Sequence, residues 1–187
     1  MKISAPYLQA RMANTQAFKE AVLDFFRANK LKVDIQKTLA AVAFFDQKTL
    51  ATLTRQQFFY GAFNDAATNL QNSYTRPESE HALITSIRIL DGTNAVVEET
   101  DWNVGAGLAP TKNGEFTIDV NGTTVLQSYP SGDAVDDLTT DDRGMIQLVE
   151  PILWAGQTTL KLDYVQPVAG AVNTNVRFEL HGFALIS

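Results

Sequence analysis

The chain has no cysteine, which removes disulfides, thiolate nucleophiles and cysteine-ligated zinc from consideration. Histidine is nearly as scarce, at two in 187 residues. Neither HExxH nor GxSxG occurs in the sequence. No stretch approaches about 18 uninterrupted apolar residues, so no membrane span is expected. Met1-Lys2-Ile3-Ser4-Ala5-Pro6-Tyr7 lacks the apolar core of a secretory signal, and none is expected. Low-complexity tracts and repeats of about 20–50 residues are also missing.

What is present is an ordinary globular composition, 45% hydrophobic and 19% charged. The length suits one domain with an appendage, or two small domains, and suffices to bury roughly 70% of the unfolded surface. Charge divides at Arg76-Pro77. Residues 1–75 carry nine Lys/Arg against five Asp/Glu, while residues 76–187 carry six against sixteen. The first part has helix-like apolar spacing and the second reads as short strands between Gly, Asn and Asp. A basic helical start on an acidic β-rich body suggests an assembly subunit more than an enzyme. The acidic body argues against sequence-independent DNA binding across its whole surface.

Asn14 or Thr15 can cap a helix beginning near Gln16 and ending at Asn29-Lys30, with Phe18, Val22 and Phe25 on one face. That face must be buried, against either the chain's own body or a neighbouring subunit. Leu31, Val33 and Ile35 alternate with polar residues and predict a strand. The run from Leu39 to Phe45 is too short to assign by period, and Asp46 could cap a helix bearing Leu50 and Leu53. Phe58 to Phe63 is strand-like, and residues 64–80 read as a long connection. Ala82 to Leu90 predicts a strand closed by Asp91-Gly92. Residues 116–120 and 123–126 around Asn121-Gly122 predict a hairpin pairing Ile118 with Val125. Further strands are expected at Met145 to Val149, Leu160 to Tyr164 and Val176 to Leu180. Phe183 and Leu185 fall out of phase with Leu180, which points to a bulge at Gly182. Many short strands with polar connections indicate an antiparallel sandwich.

Few constellations could carry chemistry. His81 lies near Glu78 and Glu80, and His181 alternates with Arg177 and Glu179; both sets read more simply as solvent-facing strand residues. Val104 to Pro110 is glycine-containing but lacks the third glycine and helix of a nucleotide loop. Asp133, Asp136, Asp137, Asp141 and Asp142 form the densest carboxylate group; without EF-hand spacing they read as a solvated loop or as an ion site at a subunit contact. Trp102 and Trp154 are either interface or sugar-stacking platforms or core lids. The basic residues of the first part (Lys2, Arg11, Lys19, Arg27, Lys30, Lys32 and Lys37) are scattered, as on a solvated face or a weak footprint for nucleic acid or an acidic neighbour.

The aromatic stretch Phe58 to Phe63, the connection from Thr68-Asn69-Leu70 to Pro77 and the Ile-rich Ala82 to Ile89 are followed by an Asn-Gly hairpin. The chain then closes on Asn175-Val176-Arg177-Phe178-Glu179-Leu180-His181-Gly182-Phe183. Over residues 55–187 this pattern resembles bacteriophage capsid proteins of the jelly-roll type. The resemblance implies a mainly β, antiparallel jelly-roll-like β-sandwich of eight strands, assigned to residues 31–187; the N-terminal helical arm over residues 1–30 is a departure from the family's pattern or an addition to it. The resemblance also implies a virion structural protein, made in host cytoplasm and located in the virion, that self-assembles with its own copies and other virion proteins. Phe18, Val22 and Phe25 would be the assembly face of the arm, and its basic residues would touch packaged nucleic acid weakly. No catalytic residue, metal or cofactor is implied. The rival expectation is a carbohydrate- or receptor-binding β-sandwich using Trp102, Trp154 or the acidic residues Asp136, Asp137 and Asp141.

Overall fold

The computed structural model describes residues 16–34, 36–50, 54–60, 67–70, 75–104, 108–134, 145–167 and 173–186. The chain is mainly β. After helix α1 (Gln16–Ala28) come β1 (Thr38–Thr49), β2 (Arg55–Phe58), β3 (Ala82–Thr93) and the two-residue β4 (Asn103–Val104). A single turn, α2 (Ala109–Lys112), leads to β5 (Glu115–Val120), β6 (Thr123–Pro130), β7 (Met145–Trp154), β8 (Leu160–Val165) and β9 (Thr174–Ile186). One sheet runs β1-β9-β3, with β7 and β4 both on the far edge of β3; the other runs β2-β8-β5-β6. Every pairing is antiparallel.

The sheets face each other across one core. Phe44, Ile87, Ile146, Phe178 and Leu180 from the first sheet meet Phe58, Phe116, Ile118, Leu162 and Tyr164 from the second. Aromatic edges organise the middle, where the Phe178 ring lies 4.7 Å from Phe58, 5.6 Å from Phe116 and 5.5 Å from Tyr164. Such pairs each add about 0.5–1.5 kcal/mol beyond the area they bury.

A second cluster lies on the opposite side of the first sheet. Phe18, Val22 and Phe26 of α1 are buried against Leu83, Phe183 and Leu185. The Phe18 and Phe183 rings are 4.8 Å apart. Phe26 takes the place expected for Phe25, which is only half-buried. The buried residues follow a row of steps of four along the helix, the ridge that an α-helix offers to a packing partner. The helix ends where the sequence predicted: Lys30 has a left-handed φ of 59°. The Lys30 and Leu31 amides donate back to the Arg27 and Phe26 carbonyls at 2.9 and 3.1 Å. The capping candidates Asn14 and Thr15 lie outside the described residues.

Several expectations are corrected. Residues 31–34 form no strand; Leu31 and Val33 alternate because they pack on the α1 cluster. Asp46 caps no helix but lies fully buried within β1, where its carboxylate accepts the Phe59 amide at 2.7 Å. The strand expected over Phe58 to Phe63 lies instead at Arg55–Phe58, because Phe59 adopts φ 57° and turns the chain; residues 61–63 of that stretch lie outside the described residues. Asn121 and Gly122 have the positive φ values expected of the hairpin, 51° and 78°. A register shift next to Ile118 nevertheless pairs it with Leu126, leaving Val125 exposed. The irregularity near Gly182 is in β3, whose register slips between Ile84 and Ser86, while β1 pairs with β9 without a break. Phe183 and Leu185 continue the outward row of Arg177, Glu179 and His181 and face α1, while Ala184 and Ile186 stay with the core, so β9 alternates without a bulge. Gly182 lies where a Cβ would overlap the Leu83 carbonyl oxygen, so a glycine is needed for close approach of β3.

Replacing Phe26 with Ala removes about 3–5 kcal/mol of packing from the α1 cluster. Hydrogen exchange should then accelerate at least about tenfold across residues 18–28 while β3 and β9 stay protected. Unchanged exchange in the helix would show that it is not held by this contact.

Candidate functional site

The outward side chains of β9 divide into two zones. Phe183 and Leu185 lie under α1, and the next three outward positions are His181, Glu179 and Arg177. Register sets their neighbours: His181 beside Ala43 and Ser86, Glu179 beside Phe45 and Arg88, Arg177 beside Gln47. On β7, Gln147 and Met145 continue the rows of Ser86 and Arg88. The result is a charged strip across four strands, adjoining the helix-covered zone.

Glu179 is its centre, with a side chain only 10% exposed. His181 Nε2 lies 2.9 Å from one carboxylate oxygen, and Arg177 Nε lies 2.8 Å from the other in an ion pair that lacks hydrogen-bond alignment. The Arg177 guanidinium sits 3.7 Å from the centre of the Phe45 ring, a cation–π contact that fixes its plane. Burial pushes the Glu179 carboxyl up, but the His181 hydrogen bond and the charges of Arg177, His181 and Arg88 outweigh it and hold the group below its ordinary 4.5. Arg88 is half-buried, and its Nε is enclosed without a hydrogen-bond partner. Ser86 stands beside His181 in register, yet no hydrogen bond joins them among the described residues. The order Ser-His-Glu is therefore not wired as nucleophile and base.

The other histidine is structural. His81 is buried and accepts the Gly156 amide at Nδ1 over 3.0 Å. Its Nε2 then donates to the Lys32 carbonyl at 2.9 Å, pinning the segment after α1 to the turn between β7 and β8. The two histidines thus share a face of one sheet without sharing a site. Two further polar centres brace the ends of the sandwich. Arg76 is buried over the Phe44 and Trp154 rings, 4.5 and 5.6 Å from their centres. It reaches Glu80 at 3.3 Å, and Lys37 reaches the same carboxylate at 3.1 Å. At the other end Asp91 accepts the Leu108 amide at 2.7 Å and the Thr111 hydroxyl. Nearby, burial pushes the Tyr164 hydroxyl up to about 12; a Ser131 hydrogen bond opposes the shift and the Asp91 charge adds to it.

The residues singled out in the sequence are dispersed. Phe18 and Val22 are buried under α1 and Phe25 is half-buried beside them. Trp154 is fully enclosed, with its Nε1 donating to the Thr158 carbonyl at 3.0 Å; it is a core lid and offers no ring face to a ligand. Trp102 is half-buried between Asp101 and β4. Asp136, Asp137 and Asp141 lie outside the described residues, as does Asp142. Among the described residues no group of three or more His, Asp or Glu side chains could hold a metal ion, and no helix is long and apolar enough to cross a membrane. No protein-family model matches the chain, and comparison with curated proteins and with solved structures returned no significant match.

Sequence alternation marked Arg177, Glu179 and His181 as outward, but it missed Arg88 and Phe45, which reach the strip only through strand register. Glu179→Gln should lower stability at neutral pH by about 1–3 kcal/mol, because it takes the charge from two buried contacts. A depressed carboxyl contributes stability above its unfolded value, and that contribution is lost as pH falls through the folded value. Wild type and variant should therefore converge below pH 4.5 in chemical denaturation. Asp46, whose carboxyl burial raises against the pull of Lys48, is common to both and cancels in the difference. Parallel curves at all pH values would contradict the assignment.

Proposed function

We propose that this chain is a virion structural protein, a capsid or capsid-associated subunit built as a jelly roll, whose copies assemble into a shell. Strand order carries the proposal. With the two-residue β4 set aside, eight strands remain, and they pair as nested couples: first with last (β1-β9), second with seventh (β2-β8), third with sixth (β3-β7) and fourth with fifth (β5-β6). A long antiparallel ribbon rolled onto itself gives this order, and viral capsid domains, lectins and cupins use it. Within that group the side chains favour a building block. The interior is filled by aromatic rings and branched aliphatics from both sheets, leaving function to the outer faces.

Those faces suit lateral contact. The polar outer side of the second sheet carries Gln57, Lys161 and Asp163, where Lys161 meets Asp163 at 2.6 Å and Gln57 donates to it at 2.9 Å. Val149 projects from β7 at 82% exposure, on a four-residue register break that includes Pro151. An apolar knob on an edge strand is a natural contact between copies. The helix, docked on its own sheet, would contribute its outward residues to such contacts.

Multi-angle light scattering of the full-length protein, with negative-stain images of the same fractions, should show regular particles, rings or capsomers. Val149→Asp should reduce these to smaller species without altering the folded spectrum. A monomer at all concentrations and salts would overturn the proposal and favour a carbohydrate- or receptor-binding sandwich, in which Trp102 fluorescence would respond to a glycan.

A further inference from the structure

We infer that the strip formed by Arg88, Arg177 and His181 is a binding site for phosphate groups, and specifically for the backbone of a single-stranded nucleic acid. The first observation is an imbalance of charge. Two guanidiniums and an imbedded imidazole share one carboxylate, Glu179, so the strip holds at least one positive charge more than its own residues neutralise. Half-buried charges are normally paired, yet Arg88 adds only its longer-range charge to Glu179 and makes no ion pair among the described residues. An oxyanion meeting this guanidinium would supply the missing counter-charge, since guanidiniums bind phosphate with two parallel hydrogen bonds.

The second observation is preorganisation. Glu179 and the Phe45 ring hold Arg177 in one orientation, 2.8 Å from the carboxylate and 3.7 Å from the ring centre. A fixed guanidinium loses little side-chain freedom when it meets a ligand. Gln47, Ser86 and Gln147 flank the cations in adjacent positions of the register, which supplies polar groups suited to sugar and phosphate contact. The third observation is placement. Residues 76–187 carry six Lys/Arg against sixteen Asp/Glu, yet two of those six stand together here. The strip lies on the same side of the sheet as α1, whose exposed residues include Lys19, Lys30 and Arg27, the last paired with Asp24 at 2.7 Å, together with Glu20. Within an acidic protein this side is locally less repulsive to a polyanion. The anion chemistry follows from these residues alone; nucleic acid as its source rests on the shell proposal.

The test is fluorescence anisotropy of a labelled single-stranded oligonucleotide, titrated with the full chain at several salt concentrations. Polyglutamate serves as a carboxylate competitor. Arg88→Gln with Arg177→Gln should weaken binding at least tenfold and reduce the slope of log affinity against log salt by about 1.4, at about 0.7 per lost phosphate contact. Thermal unfolding of the double variant establishes that it is folded. If it is not, Arg88→Gln alone should still reduce the slope by about 0.7. Lys19→Gln with Lys30→Gln, on the helix, should have the smaller effect. Absence of binding at low salt, an equal loss from the helix pair, or equal competition by polyglutamate would each overturn the inference. Light scattering of the same samples reports assembly separately, so a shell that ignores nucleic acid and a nucleic-acid binder that forms no shell are told apart.

Discussion

The pairing of β9 between β1 and β3 is the constraint on which the rest depends. It joins the last strand to the first along twelve consecutive partners without a break, and to β3 along most of its length. Its inward residues, Val176, Phe178 and Leu180, are fully buried in the common core. Its outward residues receive the helix at Phe183 and Leu185 and build the charged strip at Arg177, Glu179 and His181. A slip of one residue would exchange these sets, placing charges in the core and phenylalanines at the strip. Gly182 permits the close approach of β3 opposite its register slip, so the two outward zones follow each other along one strand.

The same pairing exposes an edge, and the sequence supplies its cover. Asn69 accepts the Phe45 amide at 2.8 Å and donates to the Ala43 carbonyl at 2.6 Å, so a side-chain amide stands in for a neighbouring strand. The Gln47 amide donates to the Ala67 carbonyl at 2.9 Å on the same side. Unpaired edges invite association with other chains, and this one is closed over its C-terminal half.

Much of this was legible in the residues. The strand alternation of Leu160 to Tyr164 and Val176 to Leu180, the Asn121-Gly122 turn and the helix from Gln16 are all present, because each rests on local chemistry. Long-range effects were not legible. Leu31 and Val33 alternate like a strand but face a helix, and Asp46 looks like a cap because nothing local discloses that Phe59 will bring it an amide. The hairpin register was missed because β6 carries extra residues, Val125 and one beside Ser128 with its φ of 46°, opposite a β5 that pairs with β8 without a break. Arg177, Glu179 and His181 were visible as an outward row, whereas Arg88 and Phe45 come from strands far away in sequence and join them only through register.

The sandwich interior is filled by packing side chains from both sheets. The fold turns on the closure of first strand on last, with Ala43 and His181 side by side on the outer face. Backbone groups of Ala43 and Phe45 point toward Asn69 and away from β9, so Ala43 and His181 form a non-hydrogen-bonded pair, with Cα atoms about 4.5 Å apart. That spacing accepts a disulfide. The cysteine-free chain allows an unambiguous measurement: thiol titration and non-reducing electrophoresis of the double variant Ala43→Cys, His181→Cys, beside Val42→Cys, His181→Cys. The first should close within one chain and the second should keep both thiols free, because Val42 faces the core. Free thiols in the first, or closure of the second, would contradict the strand order from which the whole account is built.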